Sequence, residues 1–248
     1  MSALSGKAAL VTGGSRGIGA AIVRRLARDG ADVAFTYVSA SSAARAKELV
    51  AEVEALGRRA VAIESDAARA EAVAASVART VAEFGRLDVL VNNAGIFPHG
   101  RVEDVTAEEL ERAFAIHAKA PFVAVQAALE HLPRGGRIVN IGTNLADFVP
   151  FTGMVLYTMT KSALTGLTRA LARELGPRGI TVNVVQPGPT DTDMNPADGP
   201  GAEGSRRLTA LGSYLSADDV AEAVAYLAGP GGRLVTGTAV TVDAGTNA

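Results

Sequence analysis

Val11-Thr12-Gly13-Gly14-Ser15-Arg16-Gly17-Ile18-Gly19 decides how the rest of the chain is read. The apolar run Ala8 to Val11 leads into it, and Ile18 to Ala27 leaves it with Ile22, Val23 and Leu26 on one helical face. The order is strand, tight glycine turn, helix. Glycines let backbone amides approach a phosphate closely, and the new helix points its positive end at the same place. The spacing Gly13-x-x-x-Gly17-x-Gly19 is not the common G-x-G-x-x-G fingerprint, so the turn alone also fits a plain βα connection.

Outward from this turn the same alternation repeats. Strands are predicted at Asp32 to Val38, Ala60 to Ile63, Leu87 to Val91, Arg137 to Ile141, Ile180 to Val185 and Ala239 to Val242. Helices are predicted at Ala43 to Leu56, Ala70 to Phe84 and Val155 to Leu175, with one more capped by Ser216 and Asp219. Thr106, with Glu109 three residues on, opens a long helix expected to run to Leu132. The Gly- and Pro-rich stretch Asn195 to Ser205 reads as a mobile loop, part of a substrate lid at about 193–213. The expectation is α/β: a doubly wound parallel sheet of about seven strands, Rossmann-like, in a single domain spanning 1–248.

Composition narrows the function. Of 248 residues, 48% are hydrophobic and 20% charged, which supports a large core and excludes disorder. A net charge of −2 offers nothing to nucleic acid or an anionic membrane. Without cysteine there is no disulfide and no thiolate chemistry, and three scattered histidines supply no metal-ligand spacing. No apolar run approaches a membrane span and no signal peptide precedes the first strand, so the expected location is the cytoplasm.

In such a sheet ligands collect at the carboxyl ends of the strands. The glycine turn, Asn92–Gly95, Thr143–Asn144 and Pro187–Thr192 all follow strands and are therefore expected along one rim. An acid near the end of the second strand ordinarily binds the adenosine ribose hydroxyls. Here that region reads Phe35-Thr36-Tyr37-Val38-Ser39-Ala40-Ser41-Ser42, and Asp32 lies at the wrong end. Arg16 could pair with a 2′-phosphate, with Ser39 or Ser41 as hydrogen-bond donors, which favours NADP(H) over NAD(H).

Tyr157 and Lys161 stand four residues apart at the start of a predicted helix, on one face. An ammonium about 4 Å from a phenolate is worth ~4 kcal/mol at an effective dielectric of 20, enough to bring a phenol from ~10 toward neutrality. Such a pair can hand a proton to an alkoxide forming on a substrate carbon. By itself the spacing is common on helices; the combination of motifs is not.

Thr12-Gly-x-x-x-Gly-x-Gly19, Asn92-Asn-Ala-Gly95, Tyr157-x-x-x-Lys161 and Pro187-Gly-x-x-x-Thr192, in that order, closely resemble the short-chain dehydrogenase/reductase family, 3-oxoacyl-carrier-protein reductases among them. The resemblance runs from about Lys7 to Ala244. It implies Tyr157 as acid–base residue and Lys161 as holder of the nicotinamide ribose. Gly13, Ser15, Arg16, Gly17, Ile18, Gly19, Tyr37 and Ser39 are expected to be cofactor-binding residues as well. Asp66 would meet the adenine, with Ala67 beside it a further cofactor-binding candidate, Asn93, Ala94 and Gly95 the adenosine ribose, and Pro187, Gly188, Thr190 and Thr192 the nicotinamide amide and diphosphate. The serine that orients the carbonyl is replaced here by Thr143 or by Asn144. His117 stands where the family has an asparagine in a proton relay, and a neutral imidazole titrating nearer neutrality could carry it.

Phe97, Phe148, Phe151 and Met154 are candidates for an apolar substrate pocket, or equally for core. The expected function is NADPH-dependent reduction of a ketone or related carbonyl, on a small-molecule substrate, by a homotetramer. Two alternatives stay open: a nucleotide-binding regulator on the same fold with weak or lost catalysis, and a C=N reductase.

Overall fold

The computed structural model describes residues 2–248. Seven parallel strands form one sheet in the order β3-β2-β1-β4-β5-β6-β7. They are β1 (Ala8–Val11), β2 (Asp32–Tyr37), β3 (Ala60–Glu64), β4 (Val89–Asn92), β5 (Arg137–Ile141), β6 (Thr181–Pro187) and β7 (Ala239–Val242). All seven expected strands are present, with ends moved by a residue or two.

Alternate residues of each strand feed two separate cores, as a sheet covered on both faces requires. Ala9, Val11, Val33, Phe35, Val89 and Val91 face one way and pack on α1 (Gly17–Arg28), α2 (Ala40–Ala55) and α8 (Ala217–Ala228). Leu10, Ala34, Leu90 and Ile138 face the other way, onto α3 (Ala70–Phe84), α5 (Ala120–Ala128) and α6 (Val155–Leu175). Phe35 and Leu10 are wholly buried, and each such side chain contributes about 1.5–3 kcal/mol of transfer free energy.

The strand order reverses beside β1, which pairs with β2 on one edge and with β4 on the other. The crevice at the carboxyl ends of those strands is the topological switch point where ligands bind in open α/β sheets.

The expected long helix is not one helix. Its capping box is as read, Thr106 and Glu109 bonding reciprocally, but α4 (Ala107–Phe114) gives way to a π-helical turn at Ala115–Lys119 before α5. Pro121 explains this: it has no N–H for the His117 carbonyl, and its ring crowds that carbonyl. The ladder widens instead, and the Ala120 N–H reaches back five residues to Ala115.

A second correction falls in the lid. The stretch read as a loop runs into α7 (Ala202–Leu208), held by the Arg206 guanidinium on the Ala197 carbonyl and over the Tyr214 ring. Gly204 and Ser205 hid this helix from a propensity reading. Among the described residues no helix is long and apolar enough to cross a membrane, and no group of three metal-ligating side chains gathers.

Candidate active site

A cavity of about 910 Å³ runs along the carboxyl ends of the strands. Its wall includes Gly13, Ser15, Arg16, Gly17, Ile18 and Gly19 of the glycine turn, Tyr37, Asp66 and Ala67, and Asn93, Ala94 and Gly95. Thr143, Asn144, Tyr157, Lys161, Pro187, Gly188, Thr190 and Thr192 complete it. Several expected residues stay outside the wall, Ser39, Ser41 and His117 among them. Ser39 turns its hydroxyl to Ser41 at 2.8 Å, and Ser42 takes the position facing the cavity. His117 is buried behind the wall.

The first turn of α1 lies in the cavity wall and is uncapped, as are those of α2 and α6. Helices α4 and α8 both carry full capping boxes, whereas α1 has no side-chain cap and no acid in its first turn. Its leading N–H groups therefore face the cavity without a protein carboxylate to meet them. Gly13 and Gly17 sit at φ +65° and +50°, conformations that suit glycine. A Cβ on Gly19 would drive into the Gly13 carbonyl and lie 2.6 Å from the Asn93 amide nitrogen.

Asn93 is already spent on holding that turn: its amide donates at 3.0 Å to both the Thr12 and Gly13 carbonyls. Thr36 at the end of β2 accepts the Gly13 N–H on its hydroxyl at 2.8 Å. No motif pointed to Thr36; its place opposite the turn follows from the pairing of Val11 with Phe35. Asp32 lies at the far end of β2, paired with Arg58, and no carboxylate lines the near end of that strand. Arg16 meets Asp193 at 2.8 Å, and Arg45 of α2 meets the same carboxylate at 3.2 Å. Burial opposes the Asp193 charge, but its two arginines outweigh burial and hold the carboxyl below the usual range.

At the other end of the cavity, Phe97 packs edge-on to Tyr157 with centroids 4.7 Å apart, and Phe151 and Met154 line the wall, while Phe148 does not. Burial pushes the Tyr157 phenol above its ordinary value, opposed by the nearby Thr143 hydroxyl, which accepts the Leu145 N–H at 3.2 Å. This corrects the expectation of a phenol lowered by Lys161. The Lys161 ammonium instead donates to the Ile141 carbonyl at 2.7 Å, and burial pulls it down to about 8. Of the two candidates for the serine's place, Thr143 faces the phenol, whereas Asn144 is tied to Asn247.

His117 is corrected as well. Burial, then the Lys161 charge, drive it down to about 3, so it stays neutral where titration nearer neutrality was expected. Its Nε2 accepts the Ile96 N–H at 3.1 Å. Thr160 donates to the Leu156 carbonyl at 2.8 Å, so His117 Nδ1 carries the proton and donates to the Thr160 hydroxyl at 2.8 Å. Both ring nitrogens are thus engaged within the protein.

A family model described as Enoyl-(Acyl carrier protein) reductase matches residues 13–247. The solved structure of a short chain dehydrogenase from Burkholderia cenocepacia in complex with NADP is 56% identical, with a TM-score of 0.97, over 99% of this chain and 100% of that one. The chain belongs to the short-chain dehydrogenase/reductase family. This short-chain dehydrogenase/reductase is an NAD(P)H-dependent oxidoreductase. It is also similar to a blue fluorescent protein from a metagenomic library, solved with NADPH: 56% identical, TM-score 0.98, covering 99% of this chain and 100% of that one. The cyclic-di-GMP-binding biofilm dispersal mediator protein of Escherichia coli is 46% identical, covering 98% of each chain.

Proposed function

We propose that this reductase binds NADPH in preference to NADH and reduces a ketone to an alcohol, with Tyr157 as the proton donor. The observation that carries this reading is that Thr143, Tyr157 and Lys161 stand in the wall of the same cavity as the uncapped α1 turn.

Gly17, Ile18 and Gly19 would hold the diphosphate on the first N–H groups of α1, and Arg16 the 2′-phosphate. Asp66, whose Oδ1 takes the Ala68 N–H at 2.9 Å, would present its other oxygen to the adenine amino group. A reduced nicotinamide held there would supply a hydride to the carbonyl carbon. Thr143 donates to the carbonyl oxygen and orients it beside the phenol. Tyr157, kept protonated by burial, then passes its proton to that oxygen; an alkoxide is far more basic than a phenolate, so the transfer runs downhill. Lys161, on the Ile141 carbonyl, would hold the nicotinamide ribose. His117 would act from behind the wall, fixing Ile96 and Thr160 rather than carrying protons.

Phe97, Phe151 and Met154 favour an apolar ketone, and the motifs fit a β-ketoacyl thioester or a smaller carbonyl. We read the working form as a homotetramer, on the exposed Phe122, Val155 and Met159 of α5 and α6. Loss of NADPH absorbance with a panel of ketones tests the activity, and absence of turnover on every member overturns it.

A second reading rests on the 46% identical relative whose name includes cyclic-di-GMP binding. On it the chain is a nucleotide-binding regulator with weak catalysis. Tight binding of cyclic-di-GMP that NADPH displaces, together with no turnover, would favour this reading over carbonyl or C=N reduction.

A further inference from the structure

The cavity mouth is crossed by a three-way ion pair that neither the motifs nor the proposed chemistry requires. Arg16 leaves the glycine turn, Arg45 leaves α2, and both meet the Asp193 carboxylate at the base of the lid, at 2.8 and 3.2 Å. Ser42 lines the cavity, and Arg45 follows it three residues later on the same face of α2, so its guanidinium is at the rim. Asp193 stands on a pinned turn: Thr192 and Asn195 bond each other's backbone, and the neighbouring Asp191 carboxylate takes the Ala197 N–H at 2.9 Å. The carboxylate is therefore presented to both arginines by design of the loop.

Two guanidiniums and one carboxylate leave one positive charge at this rim. A phosphate monoester brings about −1.5 to −2. With Asp193 still engaged, the cluster would carry a net negative charge; with Asp193 released, two arginines balance one phosphate. A carboxylate and a phosphate cannot both hold the same two forks at full strength.

Resting on the NADP(H) reading, we propose that Asp193 is a specificity-determining residue: it competes with the 2′-phosphate for Arg16 and Arg45. It thereby tempers the preference for NADPH and ties the lid base to the identity of the nucleotide. NADH, which has no 2′-phosphate, leaves the three-way pair closed. NADPH exchanges it for two arginine–phosphate contacts and frees the turn at Asp193.

The test is direct binding, followed by nicotinamide fluorescence, of NADPH and of NADH to the parent, Asp193→Asn, Asp193→Glu and Arg45→Leu. All three side chains are substantially exposed, so the fold tolerates these changes. Asp193→Asn is expected to raise the NADPH-over-NADH affinity ratio about three- to ten-fold, mainly through tighter NADPH, in line with exposed pairs. Asp193→Glu keeps the parent ratio, and Arg45→Leu lowers it. A ratio unmoved or lowered in Asp193→Asn overturns the competition while leaving the NADPH reading intact. A parent with no preference for NADPH sinks that reading and this proposal together.

Discussion

His117 Nε2 takes the Ile96 N–H at 3.1 Å, and this bond ties the π-helical turn to the loop that carries Phe97 into the cavity. The histidine is held neutral by burial and by Lys161, down to about 3. Its folded value lies below the ordinary ~6.5, so the unfolded chain binds the extra proton first. Stability from this group is complete above ~6.5 and is lost as pH falls from there toward 3. Between pH 7.5 and 5 the loss is about 2 kcal/mol at most. Urea unfolding at both values checks it: His117→Asn should lose less stability on acidification than the parent. An equal loss would show that His117 is not the acid-sensitive group.

Thr143→Val removes the cavity-wall hydroxyl near Tyr157 while keeping the shape, and Thr143→Ser keeps the hydroxyl. Carbonyl reduction should fall by roughly 10²-fold in the valine variant and stay within about ten-fold of the parent in the serine variant. Asn144→Ala should matter less than either loss of the hydroxyl. If Asn144→Ala costs more than Thr143→Val, the carbonyl is oriented by the amide.

Lys161 is pulled down to about 8 by burial, so its ammonium form is lost as pH rises through that value. Steps that need its positive charge should weaken above about pH 8 and be steady below it. Measuring kcat/KM from pH 6 to 10 tests the sign. A rate that climbs through this range instead would mean that the charge is not used.

Gly19→Ala places a methyl against the Gly13 carbonyl and the Asn93 amide, neither of which can yield without opening the turn. It should destabilise the protein by about 1–3 kcal/mol, as overpacking does, and weaken NADPH at least ten-fold. Thermal unfolding and NADPH titration read the two effects separately.

The sheet was legible because the strands are short, largely apolar runs set off by helices of clear period. The rim followed from the fold, since strand ends must share one edge of a parallel sheet. What the sequence concealed has long-range causes. The widened turn at His117 needs Pro121 to be seen as an obstacle to one carbonyl rather than as a helix-compatible residue. The Lys161 bond to Ile141 and the Arg16 pair with Asp193 join segments remote in sequence, and no local spacing signals either. The depressed His117 and raised Tyr157 both come from burial, which appears only once α6 packs beside the loop after β4.

The central claim is proton donation by Tyr157 in a site that holds NADPH. Tyr157→Phe removes one hydroxyl and leaves the ring that packs on Phe97. NADPH affinity should stay within about two-fold of the parent, while ketone-dependent loss of NADPH absorbance should fall by roughly 10²–10⁴-fold. A phenylalanine variant that still consumes NADPH with ketone at the parent rate would contradict it.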